Sequence, residues 1–343
     1  MNLKKLYIYI SIIFVILIGF IGFNTYNKFY KANIIEDGYL YIPTNSTYDD
    51  VETIVRPFLE RVNTFNFVSS VKRYSDAIKP GKYKIEKGMS NNALINMLRN
   101  GKQSMVKLSF NNQDSLEKLA GRIAEQIEAD SISLLQVFNN DAFLQESGFT
   151  KNTALAMFIP NTYEFYWNTS AELFQSKMKS EFDRFWNAER IESAKKLNLT
   201  PLEVTTLASI VQKETSSVKE RPSVAKLYLN RLNDGWPLQA DPTVIFAVKQ
   251  SDPNAVIKRV LKKDLTVASP YNTYVNLGLP PGPIAMPDIS SIDAVLTPAN
   301  HNYFYMCASV EKIGTHEFAT TLPEHNRNAA KYQTWLNQQG VNR

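Results

Sequence analysis

Leu6 to Phe23 is a run of 18 residues without a charge, LYIYISIIFVILIGFIGF. As a helix rising about 1.5 Å per residue it is about 27 Å long, close to the thickness of a bilayer core. Lys4 and Lys5 precede it. Tyr7 and Tyr9 lie near one end and Tyr26 and Tyr30 just past the other, as an aromatic belt does. The run is long for the apolar part of a cleaved signal peptide, and no small-x-small site follows it. No Cys lies near it, which argues against a lipoprotein anchor. The pattern predicts a transmembrane helix over 6–23 with residues 1–5 cytoplasmic. Lys28 and Lys31 after the run offset part of the orienting charge of Lys4 and Lys5.

Residues 24–40 read as a stalk. Beyond them a rhythm recurs at about forty residues' spacing. Ile42-Pro-Thr-Asn-Ser-Thr47-Tyr-Asp-Asp-Val51 is similar to Ile85-Glu-Lys-Gly88-Met-Ser90-Asn-Asn-Ala-Leu94. In each, a strand-like residue leads into a turn, and Thr47 or Ser90 is set to cap an amphipathic helix. The pattern fits a small βααβ glycan-binding module and a generic α+β unit equally. Met105–Phe110 then reads as a strand and Leu116–Ile127 as a helix. Phe174–Trp186 is a helix whose stripe of Phe174, Met178, Phe182 and Phe185 is core. From Pro270 to Pro298 the chain is rich in Pro and Asn with little helical period, and a long ordered loop of that kind is usually functional.

One helix carries an unusual residue. Thr200-Pro201-Leu202-Glu203 combines a cap, a proline suited to the first turn and a capping-box Glu. Leu207, Ile210, Val211 and Glu214 then follow at i, i+3, i+4 and i+7. A carboxyl group on an apolar stripe is costly to ionise, and an acid that keeps its proton near neutral pH suits general acid catalysis. The plainer alternative is a helix-end Glu turned to water or paired with a Lys or Arg. Pro222 starts a further helix with Val224, Leu227, Tyr228 and Arg231 on one face, ended by Asn233-Asp234-Gly235.

Composition narrows the classes. The chain has 343 residues, enough for about two domains. Its 44% hydrophobic content indicates globular structure, and its net charge of +5 is mild and dispersed. No zinc-finger, Walker or Rossmann spacing is present, so nucleic-acid binding lacks support. Cys307 is the only cysteine, which excludes an intrachain disulfide and suits a small buried hydrophobe. His301, His316 and His325 are spaced 15 and 9 residues apart, which matches no common metal pattern, so neither metal nor cofactor is expected.

The motifs Leu207–Thr215, Glu220-Arg221-Pro222, Asn230-Arg231-Leu232 and Leu238–Val244 resemble the endolytic murein transglycosylases, the MltG/YceG-like family. Ser269–Tyr274, Gly278–Ile284, Leu296–Ala299, Gly314–Phe318 and Glu324-His325-Asn326 extend the likeness, and Pro160–Glu164 resembles the entry to the catalytic domain. Gln212 stands where Glu is common, Ala240 where Thr is usual, and Met286 and Asp288 where Asn and Gly are usual. These departures bear on fine substrate contacts.

The resemblance implies an α+β fold: a LysM-like region over 41–110, a connecting helical region over 111–160 and a YceG-like mixed α/β catalytic domain over 161–340. It implies cleavage of the β-1,4 bond after N-acetylmuramic acid within peptidoglycan glycan strands, leaving a 1,6-anhydro end, with Glu214 as the single acid and base. It also implies a single-pass protein of the cell (inner) membrane, its catalytic domain on the periplasmic or extracytoplasmic side, with peptidoglycan synthases as candidate partners. Asn230, Gln239, Asp241, Tyr271, Asn272 and Tyr274 are candidate substrate contacts. Asp241, just before Pro242, is first of all a good helix cap, and Glu220 beside Arg221 reads as an ion pair or cap. Two other functions stay open: hydrolysis of the same bond with Asp241 as second carboxylate, and a non-catalytic glycan-binding scaffold.

Overall fold

A computed structural model describes residues 3–257 and 259–339, which fall into two compact units. Of these, the first unit comprises residues 3–108, 126–129 and 163–170; the second holds the other described residues.

In the first unit, helix α1 (Leu3–Tyr30) runs for 28 residues with a mean hydropathy of 2.6 over its most apolar window, and none of that window is buried. It is long and apolar enough to cross a membrane. Helix continues to Tyr30 through the first part of the segment read as a stalk, and that end is docked. Phe29 meets Phe67 edge-on at 6.4 Å, and Lys28 Nζ lies 4.1 Å from the Phe67 ring centre. Past the helix, Asn33 is buried. Its amide donates to Asn91 Oδ1 (2.7 Å) and the Arg61 carbonyl (3.1 Å), and its Oδ1 accepts from the Arg61 N–H.

Strand β1 (Gly38–Ile42), helices α2 (Tyr48–Val55) and α3 (Val62–Val71) and strand β2 (Gly81–Ile85) follow, then α4 (Asn91–Asn100). β1 and β2 pair antiparallel from Gly38↔Ile85 to Ile42↔Gly81. The period-2 alternation turns Leu40, Ile42, Tyr83 and Ile85 into the core, while Tyr39 and Tyr41 stay exposed. Thr47 forms a capping box with Asp50, and Ser90 caps α4 through the Ala93 N–H. The two halves of the sequence repeat are therefore successive strand-to-helix passages of one sheet, not two modules. β3 (Met105–Phe110) and β4 (Asn161–Tyr166) make a second two-stranded sheet.

The second unit is mainly helical. It contains α5 (Leu116–Ala124), α6 (Ser131–Phe138), α7 (Asp141–Glu146), α8 (Ala171–Phe185) and α9 (Ala188–Lys196). Phe174 of α8 packs with Phe138 and Phe158, and Met178 and Phe182 are buried as well, but Phe185, the fourth member of the stripe, is only half-buried, with the Arg190 guanidinium 4.1 Å from its ring centre. At the centre stands α10 (Pro201–Glu214), packed by α11 (Arg221–Asn233), α12 (Asp241–Ser251) and α13 (Ile289–Leu296). The Thr200–Glu203 capping box and Pro201 at the first turn are present.

α10 is buried all round, not along one stripe. Thr205, Thr206 and Ser209 are enclosed together with Leu207, Ile210 and Val211. Their hydroxyls turn back onto the Pro201, Leu202 and Thr206 carbonyls at 2.7–2.8 Å, so burial leaves no hydroxyl unsatisfied. α13 lies inside the Pro- and Asn-rich stretch that reads as loop. The unit ends with an antiparallel hairpin, β5 (Tyr305–Ala308) with β6 (His316–Ala319), and with α14 (Leu322–Gln338) packed on both strands. Cys307 in β5 is half-buried. The whole is a mixed α+β fold.

Candidate active site

Glu214 is the last residue of α10, where the helix leaves the core. The residue keeps some exposure, but Oε2 is enclosed and accepts no hydrogen bond. Burial pushes its carboxyl up to about 7, and the negative charge of Asp241 adds to the effect. Tyr228 and Arg231 pull the other way, and Glu220 makes a smaller contribution upward. At neutral pH a large fraction of this carboxyl group is protonated, the state in which it has a proton to give.

α11 supplies the surroundings. Burial holds the Tyr228 hydroxyl well above its ordinary value, so it stays a donor beside Glu214. Arg231 Nε donates to the Phe304 carbonyl at 2.8 Å and Nη1 to the Leu238 carbonyl, so the guanidinium is fixed by main chain. The sequence motifs alone do not mark either residue as part of the site, although an Arg on the Val224-Leu227-Tyr228 face is as anomalous as a Glu on the α10 stripe.

Asn230, the next candidate, is nearly buried. Its amide donates to the carbonyls of His301 (3.2 Å) and Tyr303 (3.0 Å) and so braces that segment. Glu220 does not pair with Arg221. Its Oε2 accepts from Thr215 Oγ1 at 2.6 Å and its Oε1 from the His316 N–H at 2.6 Å, tying the residue after Glu214 to β6. Arg221 instead reaches Ser290 Oγ at 2.6 Å and Asp288 at 3.5 Å.

A rim is built from two segments. Thr273 Oγ1 lies 2.8 Å from Thr243 Oγ1 and accepts from the Ala240 N–H at 3.0 Å, while the Gln239 N–H donates to the Thr273 carbonyl at 3.1 Å. This stitching places Tyr274 next to Asp241, and the Tyr274 hydroxyl donates to Asp241 Oδ1 at 2.6 Å. Asp241 is not the cap of α12. Ala240 occupies that position, and Asp241 is the first helical residue with its carboxyl directed to Tyr274. Gln239 is exposed, with φ of 51°.

Tyr271 and Asn272 turn inward. Tyr271 packs on Phe246 at 4.6 Å, and the Asn272 amide donates to the Leu265 and Val267 carbonyls at 3.0 and 2.9 Å. Both are buried. The structure thus brings Glu214, Asp241 and Tyr274 into one electrostatic cluster with Tyr228 and Arg231. It leaves Gln239 on the exposed rim and sets Asn230, Tyr271 and Asn272 within the walls.

Other residues position these walls. The Ile284 N–H donates to Ser209 Oγ at 3.0 Å, and the Met286 N–H to the Gln113 carbonyl at 2.8 Å, which pins the Pro-rich run. Gln212 Oε1 accepts from the Asp288 N–H and from Ser291 Oγ (3.1 Å), satisfying the start of α13. His301 contacts the Ser223 carbonyl, His316 joins Glu220, and His325 stacks on Tyr305. Among the described residues, no three His, Cys, Asp or Glu side chains gather as for a metal ion. A cavity of about 770 Å³ does not include Glu214 but is lined by its neighbour Lys213 and by Pro242, next to Asp241.

The profile of the YceG-like family matches residues 40–331, and the chain belongs to that family. A protein of Bacillus subtilis (strain 168) named endolytic murein transglycosylase is 29% identical over 310 residues, covering 85% of this chain and 83% of the relative. A protein of the same name from Streptococcus pneumoniae serotype 2 (strain D39) is 25% identical over 321 residues; the match spans 85% of this chain but 57% of that longer protein. A crystal structure of a yceG-like protein from Listeria monocytogenes superposes with a TM-score of 0.57 at 27% identity, covering 85% of this chain and 98% of that one.

Proposed function

We propose that this chain is a membrane-anchored endolytic murein transglycosylase, cleaving the β-1,4 bond after N-acetylmuramic acid in nascent glycan strands. The observation that carries the reading is the Glu214 carboxyl, with Oε2 enclosed and free of any hydrogen bond, and its affinity for a proton raised to about 7 by burial. The names of the curated relatives support the same reaction.

Glu214 donates its proton to the bridging oxygen as the bond to the anomeric carbon breaks, with the bonding pair leaving on that oxygen. The carboxylate then takes the proton of the muramic C6 hydroxyl, which attacks the anomeric carbon and closes the 1,6-anhydro ring. Tyr228 and Arg231 stabilise the carboxylate in the interval, when it bears a charge in a dry site. Gln239, Asp241 and Tyr274 contact the glycan from the exposed rim. Asn230, Tyr271 and Asn272 serve recognition indirectly, by fixing the walls.

Helix α1 supports a single-pass anchor with a cytoplasmic N-terminus and the catalytic unit on the outer face. The β1-α2-α3-β2 order supports a LysM-like glycan-binding role for the first unit. Strands leaving peptidoglycan synthases at that membrane are then the nearest substrate, and the synthases are candidate partners.

The test is digestion of purified sacculi by the full-length protein in detergent, with product masses measured. Anhydro ends, lighter by one water than reducing ends, are the expected product. Reducing ends mean hydrolysis, and undigested sacculi retained on the protein mean a scaffold.

A further inference from the structure

The cavity lined by Lys213 and Pro242 has no part in the chemistry above. It lies within the second unit, between the start of α5 and the exposed side of α12, and holds about 770 Å³. Pro242, Ile245 and Phe246 give it an apolar floor. Its rim is charged with both signs. Lys213 and Lys118 converge on Asp114 at 2.6 and 3.0 Å, and these two lysines hold the Asp114 carboxyl below its ordinary range against the opposing effect of burial. Lys249 lines the same cavity, one turn after Ile245 on α12, and makes no ion pair among the described residues. Three lysines thus face two carboxylates, Asp114 and Glu117, leaving one cation uncompensated.

Two covalent neighbours tie this space to the reaction. Lys213 precedes Glu214 in α10, and Pro242 follows Asp241 in α12. The groove thus shares its two helices with Glu214 and Asp241, and the part of the substrate to consider for it is a group attached to the sugar being cleaved but pointing off the glycan axis. In peptidoglycan that group is the peptide carried on the lactyl ether of muramic acid. It is a short acylated peptide with apolar methyl groups, amides and free carboxylates. An apolar floor with an unpaired ammonium group at its edge complements such a peptide, whereas an amidase-stripped glycan keeps only the lactyl carboxylate, held close to the sugar ring, and offers nothing to the apolar floor.

We propose that the groove lined by Lys213, Ile245, Phe246 and Lys249 binds the peptide stem of the muramoyl residue being cleaved, with Lys249 holding a stem carboxylate. The inference rests on the peptidoglycan reading given above. It makes the enzyme selective for strands that still carry stems, as newly polymerised strands do, over strands already stripped by amidases.

Two measurements on the full-length protein in detergent test it. The first compares cleavage of stem-bearing strands with cleavage of amidase-stripped strands. The wild type is expected to favour stem-bearing strands about tenfold in kcat/KM. Lys249→Glu abolishes most of that ratio and Lys249→Arg preserves it, since a tenfold ratio corresponds to a single charge-assisted contact. An unchanged ratio in Lys249→Glu overturns the proposal. The second measures binding of muramyl dipeptide to Glu214→Gln protein by NMR, independently of turnover. Millimolar binding lost on adding Lys249→Glu supports the site; no binding, or binding indifferent to that change, refutes it. Failure of both substrates to be cleaved counts against the transglycosylase reading, while the binding result still decides the groove.

Discussion

The Tyr274 hydroxyl donates a 2.6 Å hydrogen bond to Asp241 Oδ1, joining two residues 33 positions apart on the rim around Glu214. The bond holds the Asp241 carboxyl where its negative charge disfavours ionisation of Glu214. Asp241 on this account keeps the acid protonated, and need not attack the sugar. The wild-type kcat/KM should fall as pH rises through about 7, because the proton-bearing form of Glu214 is lost. Asp241→Asn removes the negative neighbour, lowers the affinity of Glu214 for its proton, and moves that falling limb to lower pH. The product keeps its anhydro end. A pH profile with product masses checks both, and reducing ends lost with Asp241 would favour a hydrolase instead.

Glu214→Gln should reduce release of anhydro-muropeptides by about 10²–10⁴-fold, the usual worth of general acid–base catalysis. It should also make the fold more stable above neutral pH. The unfolded carboxyl titrates near 4.5 and the folded one near 7, so between those values the native state binds the extra proton. Stability from this group is therefore greatest below about 4.5 and declines as pH rises to 7. The decline is on the order of 3 kcal/mol, and Gln abolishes it. Thermal unfolding of both proteins at pH 5 and pH 8 measures the difference. A wild type equally stable at both, relative to the variant, would mean that the carboxyl is solvated.

Much of this site was legible because its signals are local. Thr200, Pro201 and Glu203 act on their own helix turn, and Glu214 stands out by spacing alone. The burial of α10 on every side was not legible, since nothing in the sequence shows that the hydroxyls of Thr205, Thr206 and Ser209 close on their own helix. α13 escaped notice for a different reason. It has eight residues within a Pro- and Asn-rich stretch, and its start is satisfied by Gln212, 76 positions earlier. Asn272 and Gln239 look alike in sequence. The Asn272 amide closes on the Leu265 and Val267 carbonyls and turns inward, while Gln239, at a φ of 51°, stays exposed, and neither outcome is written in the local sequence.

Asn230 gives a test of the wall-building role. Asn230→Ala strips two donors from the His301 and Tyr303 carbonyls beneath the β5 hairpin. Leaving these half-buried carbonyls unpaired costs about 1 kcal/mol. A lowered melting temperature is expected, with loss of activity that follows the loss of folded protein at assay temperature. Stability equal to wild type with raised KM would instead make Asn230 a direct substrate contact.

Gly282 marks where the Pro-rich run 278–286 meets the rest of the unit. A Cβ there would lie 2.0 Å from the Asn152 carbonyl oxygen, and 2.7 Å from its carbon. The obstacle is main chain, so no side-chain rotation relieves it, and Gly282→Ala must push the 278–286 run outward. That run is held to α10 by the Ile284 N–H on Ser209 Oγ, five residues before Glu214. Overpacking of this kind costs about 1–3 kcal/mol. Displacement of that run also disturbs the packing of α10, which carries Glu214, and a positioning error of about 1 Å can cost about a hundredfold in rate. Gly282→Ala should therefore lower kcat/KM by more than its loss of folded protein explains, with the pH of the falling limb unchanged because the surroundings of the Glu214 carboxyl are intact. Activity, unfolding temperature and pH profile measured together separate these effects; a variant as stable and as active as wild type would show that this run does not position α10.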